Sequence, residues 1–124
     1  MSFLTDFIDF IAEQTGLIVD TNLFIAAEPV DAPDSLTIIT ASGGYENESG
    51  LQLQPVQVIS KDLTFLSAQT LAYKVHNILN HKPGFSGLDG YSIFYCQSIT
   101  MPQCLGQDER SRWIFSTNFY IKRK

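Results

Sequence analysis

This 124-residue sequence predicts an α+β fold, a mainly antiparallel sheet of about five strands covered by two helices. Three observations carry that prediction. Two segments keep the 3.6-residue apolar period of a helix, and five shorter ones carry the β-branched and aromatic runs of strands. The helices also stand apart from the strands instead of alternating with each one. The predicted order is helix, three strands, helix, two strands, with residues 1–124 as a single domain. A chain of this length buries roughly two-thirds of the surface its unfolded form exposes, enough for one core.

Phe3, Leu4, Phe7, Ile8, Phe10 and Ile11 fall within about 160° of a helical wheel, with Asp6, Asp9 and Glu13 opposite. They predict an amphipathic helix over 3–15, with Gly16 and Leu17 suited to a left-handed stop. Leu23 to Glu28 and Leu36 to Ala41 read as neighbouring strands joined by a surface loop containing Pro29, Asp31, Pro33, Asp34 and Ser35. Ser42 to Gly50 reads as a loop. Pro55 is expected to open a third strand, Val56 to Ser60, because Pro is tolerated at a first strand position. Phe65, Ala68, Leu71, Ala72, Val75, Ile78 and Leu79 predict the second helix, with Pro83 and Gly84 ending it. Lys82 to Gly90 reads as a Gly-rich loop, Tyr91 to Thr100 as the fourth strand and Arg112 to Lys122 as the fifth. On that fifth strand Trp113, Phe115, Thr117, Phe119 and Ile121 share one face.

Composition narrows the function classes. The net charge of −5 and isoelectric point near 4.7 argue against a broad basic field for nucleic acid or anionic lipid. The sequence has no apolar run near the ~20 residues of a membrane span and no secretory pattern at its start, so the expectation is a protein made in a cytoplasm, with Cys96 and Cys104 as free thiols.

Chemistry was tested against spacing. His76 and His81 are five residues apart, about 140° around a helix, whereas a metal-sharing pair needs three or four. Gly84-Phe85-Ser86-Gly87 lacks the final glycine and the strand-to-helix context of a nucleophile elbow. Ser42-Gly43-Gly44 lacks the Gly-Lys-Ser/Thr of a phosphate cradle. No cofactor, metal or catalytic residue is expected, and the sequence points away from an enzyme.

The most informative stretch is Met101 to Tyr120, where a charged segment interrupts two strand-like runs. It predicts a hairpin whose loop presents Gln107, Asp108, Glu109, Arg110 and Arg112 as candidate partner contacts. Leu66 and Tyr73 project off the apolar stripe of the second helix and form a second candidate surface. Tyr45 and Glu46, in the Ser42 to Gly50 loop, form a third.

Several strings taken in order resemble a known family. They are Pro33-Asp34-Ser35 before a strand, Gly43-Gly44 after it, Val56-Gln57-Val58, and Pro102-x-x-Leu105-Gly106-x-Asp108-Glu109-x-x-Arg112 leading to Asn118-Phe119. This order is similar to that of the tail terminator, or minor capsid, proteins of long-tailed bacteriophages and prophages, over most of the chain. Ser111, near a place where the family pattern has a small residue or glycine, and the two cysteines are the departures.

The resemblance implies a structural virion protein of the tail, assembled in the bacterial host cytoplasm. It would form a ring, commonly a hexamer, on the head-proximal end of the tail tube, stop tube polymerisation, and offer the docking surface for the head and neck. The implied partners are other copies of itself, the major tail tube protein and a neck or head-completion protein. DNA would pass through without specific binding, and no membrane is involved. The alternatives are a head-side neck or tail-completion protein, and a small-molecule-binding α+β domain using the aromatic face of the last strand.

Overall fold

The computed structural model describes the backbone of residues 2–41, 45–46, 52–80, 82–86 and 92–123, and the side chains of 7–41, 54–80 and 98–121. Its elements are α1 (Ser2–Thr15), β1 (Leu23–Ile25), β2 (Leu36–Ala41), β3 (Tyr45–Glu46), β4 (Gln52–Asp62), α2 (Phe65–Leu79), β5 (Lys82–Ser86), β6 (Ser92–Ser98), β7 (Gln103–Gln107) and β8 (Trp113–Arg123). The α+β class stands, and all five expected strands are present as β1, β2, β4, β6 and β8.

The sheet runs β1-β2-β4-β8-β6-β5, with β3 added to β4 and β7 to β8. Its two long central strands pair antiparallel over their whole length, from Gln52↔Arg123 to Asp62↔Trp113. The sheet is mixed, because β1 runs parallel to β2. Parallel neighbours need a crossover, and the segment from Ala26 to Ser35 supplies it. Ala26 turns away from β1 at a left-handed φ of 69°, and the chain returns across one sheet face to start β2. We call this segment the strap.

Side-chain alternation assigns the two faces. Val56 and Val58 of β4 and Phe119 and Ile121 of β8 point to one side. There they form the main core with Phe7, Ile8 and Ile11 of α1 and Val75 and Leu79 of α2. Phe115 extends this layer under Ala68 and Ala72. Phe65, at the start of α2, meets Trp113 and Phe115 edge-on at 5.4 and 5.2 Å. The aromatic face of β8 is therefore packed into the core under the helices. On the other side, the strap buries Ala32 against Phe24, Leu36 and Ile38, with Ile59 alongside.

Both helices end as their sequences dictate. Gly16 takes a φ of 80° and donates its N–H to Ala12 O at 2.9 Å, the predicted left-handed stop. Thr64 caps α2 by accepting from Ser67 N at 3.1 Å, and Asn80 closes it by donating to His76 O at 2.8 Å. The helix thus ends before Pro83 and Gly84, which lie in β5.

Three expectations need correction. Lys82 to Ser86, read as loop, is strand β5, paired to β6 through Lys82↔Cys96 and Phe85↔Ile93. It is an edge strand, where pairing overrides the turn propensity of Pro83 and Gly84. The third strand is longer than Val56 to Ser60, and Pro55 lies inside it. Pro55 pairs with Tyr120 on one side, while on the other the β2 ladder stops at Ala41↔Val56 and β3 begins at Tyr45↔Leu53. A missing N–H on the unpaired side removes no ladder bond. Finally, Gln103 to Gln107, expected in the hairpin loop, forms β7.

Cys104 is a free, half-buried thiol against Phe115, whereas the side chains of Cys96 and His81 lie outside the described residues. His76 is 4% exposed, and neither ring nitrogen has a hydrogen-bond partner. Its ring packs beside Tyr73 and Phe119, with centroids 5.9 and 6.1 Å away.

Candidate functional site

The hairpin joining β7 to β8 is built around Asp108. Its Oδ1 accepts the N–H groups of Arg110 and Arg112, each at 3.0 Å, and Ser111 N donates to Asp108 O at 3.0 Å. A carboxylate that captures backbone donors two and four residues on replaces ladder bonds and fixes the turn. Ser111 sits at a left-handed φ of 61°, where glycine is the unstrained choice. Gly106 has a φ of 105° at the place where the β7–β8 register shifts, as a bulge glycine does.

Arg112 leaves this turn inward. Only 3% of its side chain is exposed. Nε donates to Asp108 Oδ2 at 2.9 Å, Nη2 lies 2.8 Å from Glu28 Oε2, and Nη1 donates to Pro33 O at 3.2 Å. Lys61, at the end of β4, adds contacts to Glu28 at 2.5 Å and to Asp108 at 3.4 Å. Two cations thus neutralise two carboxylates, with Arg112 Nη1 used on the Pro33 carbonyl. That is the condition under which buried ions are tolerated. Farther out, Arg110 reaches Asp34 at 3.0 Å across a more exposed gap.

The electrostatics follow from this packing. Burial disfavours the charged form of Asp108, but the Arg112 and Arg110 N–H groups and the Arg112 guanidinium outweigh it and hold the carboxyl down to about 2. Glu28 also lies below the ordinary glutamate value: burial opposes ionisation, and Lys61 and Arg112 more than offset it. Arg112 is held above its usual value, because Asp108 and Glu28 outweigh its desolvation.

This clamp unites parts of the sequence far apart in the chain. It ties the strap, through Glu28, Pro33 and Asp34, to the hairpin turn. Two other strings singled out in the sequence also meet: Val56↔Phe119, Gln57↔Asn118 and Val58↔Thr117 are consecutive rungs of the central ladder, whereas Gly43-Gly44 lies outside the described residues. Gln57 Nε2 donates to Ser116 Oγ at 3.0 Å on the face away from the helices.

The candidate residues fall into distinct places. Gln107, Asp108, Glu109, Arg110 and Arg112 border one shallow cleft of about 440 Å³ with Glu28 and Lys61. Within it Arg112 is buried and Asp108 mostly so, while Gln107, Glu109 and Arg110 are exposed. Leu66, 69% exposed, and the half-buried Tyr73 lie on the outer surface of α2, on the opposite side of the sheet. Tyr45 and Glu46 form β3 by their backbones, and their side chains lie outside the described residues. Sequence reasoning missed Glu28 and Lys61. Glu28 and Lys61 look like ordinary strand-end charges until the fold brings them to Arg112.

Among the described residues no group of three His, Cys, Asp or Glu side chains could hold a metal ion, and no helix is long and apolar enough to cross a membrane. Fold and clamp together define a small α+β protein whose charged hairpin serves architecture, with its uncommitted polar and apolar groups facing outward. The family model described as "Bacteriophage tail terminator protein" matches residues 10–124, and the chain belongs to that family. It is a structural component of a phage tail. A search of curated proteins gives no match.

Proposed function

We propose that this protein closes the head-proximal end of the tail tube as a ring, commonly of six copies, stops tube growth and offers the surface to which the head's neck docks. Family membership over nearly the whole chain is the observation that carries this reading. The division of labour within the hairpin supports it. Gly106, Asp108 and Arg112 each have an internal structural task, whereas Leu105, at 56% exposure, and exposed Glu109 do not. Groups facing water without an internal partner are those free to meet another subunit.

A ring needs two different patches on each copy, since a head-to-tail interface joins unlike surfaces. The hairpin cleft and the outer face of α2 lie on opposite sides of the sheet and meet that requirement. Leu66, Tyr73, Gln107, Glu109 and Arg110 are our candidate contacts, with Tyr45 and Glu46 as a further pair. The net charge of −5 per copy favours a channel through which DNA passes without being retained, and assembly takes place in the host cytoplasm.

Loss of the protein from an infected cell tests the reading. Electron microscopy should reveal tail tubes of uncontrolled length. Tubes of normal length beside unjoined heads would instead assign it to the neck.

A further inference from the structure

The strap, Ala26 to Ser35, has little apolar contact holding it to the sheet. Of its residues Ala32 alone is buried, and the methyl of Ala32 is what the strap contributes to the cluster of Phe24, Leu36, Ile38 and Ile59. Its backbone donates to the sheet from Ala26 N, to Ile39 O at 2.9 Å. The other backbone donors bonded within it are local, Ala27 N to Ile25 O and Ala32 N to Pro29 O. Ordering the backbone of so long a segment costs more than a buried methyl and a few such bonds return.

The remaining hold is polar and comes from elsewhere in the chain. Glu28 is fixed by Lys61 and Arg112, the Pro33 carbonyl accepts from Arg112 Nη1, and Asp34 meets Arg110 in a more exposed pair. Both arginines belong to the turn that leads into β8, so the hairpin and Lys61 together keep the strap in place.

The start of the strap is also strained. Ala27 N donates to Ile25 O at 2.8 Å around Ala26 at a φ of 69°, a tight three-residue turn that a residue with a side chain adopts at a cost. Opening would relieve that strain. Pro29 and Pro33 act the other way, because their fixed rings limit the freedom that the released chain gains. The strap is thus closed at rest, with its polar hold deciding the balance.

We propose that the strap is a latched cover that opens as a unit while the sheet and helices stay folded, with Glu28 as the latch and Arg112 as the group that holds it. Opening uncovers Phe24, Leu36, Ile38 and Ile59 on the sheet face. Order in the strap and pairing in the hairpin turn are coupled, since Arg112 serves both.

Hydrogen exchange of the intact chain tests this, read at Ala26 N–H in the strap and at the β4–β8 ladder. In the wild type Ala26 should exchange about a hundredfold or more faster than the ladder, after correction for intrinsic rates, and with little dependence on denaturant. Glu28→Gln on the strap and Arg112→Lys in the turn should each raise the Ala26 rate by about tenfold or more, since neither replacement keeps the paired charges and forked donors. Val75→Ala, which leaves a cavity under α2, should speed the ladder and leave Ala26 unchanged. Ala26 and the ladder exchanging together, or Ala26 following Val75→Ala, would mean that the strap opens only with the whole fold and overturn the proposal. An Ala26 rate indifferent to Glu28→Gln or to Arg112→Lys overturns the latch.

Discussion

Arg112 is the residue on which most of the hairpin depends, although in the sequence it is one of two arginines in a charged stretch. Its neighbour Arg110 pairs with Asp34 where both are about half exposed, a contact of the kind that contributes ~0–1 kcal/mol. Arg112 pairs with two carboxylates at 3% exposure, and removing it leaves Lys61 as the one cation shown against both, with the Pro33 carbonyl losing its donor. Arg112→Ala should therefore cost about 3–5 kcal/mol. Thermal melting should register a fall of about 10 °C or more. Arg110→Ala should leave the melting temperature within a few degrees. Equal effects of the two substitutions would mean that burial is not what separates them.

Asp108 gives the clamp a definite pH dependence. Its folded value of about 2 lies below the ordinary aspartate value of 3.8, so folding favours the ionised form. That contribution, about 2 kcal/mol, is fully present above about pH 4 and is lost as the pH falls towards 2. Glu28 acts in the same direction. In Asp108→Asn the neutral-pH stability should drop by about that amount, and the melting temperature should fall less steeply than wild type between pH 4 and 2. A variant that keeps the wild-type slope would place the acid sensitivity elsewhere.

At the scale of elements, α2 has a buried polar group without a partner. The two ring nitrogens of His76 make no hydrogen bond, and unsatisfied buried groups cost about 1–3 kcal/mol each relative to an apolar isostere. With Tyr73 and Phe119 as ring neighbours, His76→Phe should raise the melting temperature by a few degrees. A decrease would mean that the imidazole is satisfied in solution, for example by a buried water.

The elements also divide by how legible they were. Both helices could be read to within a residue because α1 and α2 bury one amphipathic stripe, and periodicity reports that directly. β4 and β8 were recognisable by alternation. β5 was not, because Lys82-Pro83-Gly84 carries turn propensities and becomes a strand only when β6 lies alongside. The parallel pairing of β1 was equally hidden, since the strap's path across the sheet depends on Ala32 finding Phe24, Leu36 and Ile38.

At the scale of the whole molecule, two opposite faces carry unlike surfaces, which is the geometry of a head-to-tail assembly. Loss of tube-length control without the protein is the matching expectation.

By itself the sequence determined the α+β class, the helices, the central strands and, through the order of its short strings, the family. These are properties of local periodicity and of residues in a fixed order along the chain. The candidate surface was legible only as a set of charges: nothing in Asp108-Glu109-Arg110-Ser111-Arg112 says which side chain turns inward. Tertiary structure decided that, by placing Glu28 and Pro33 beside Arg112, with Lys61 paired to the same carboxylates. The energy of a charge depends on its surroundings, and those surroundings come from segments up to 84 residues away in the chain.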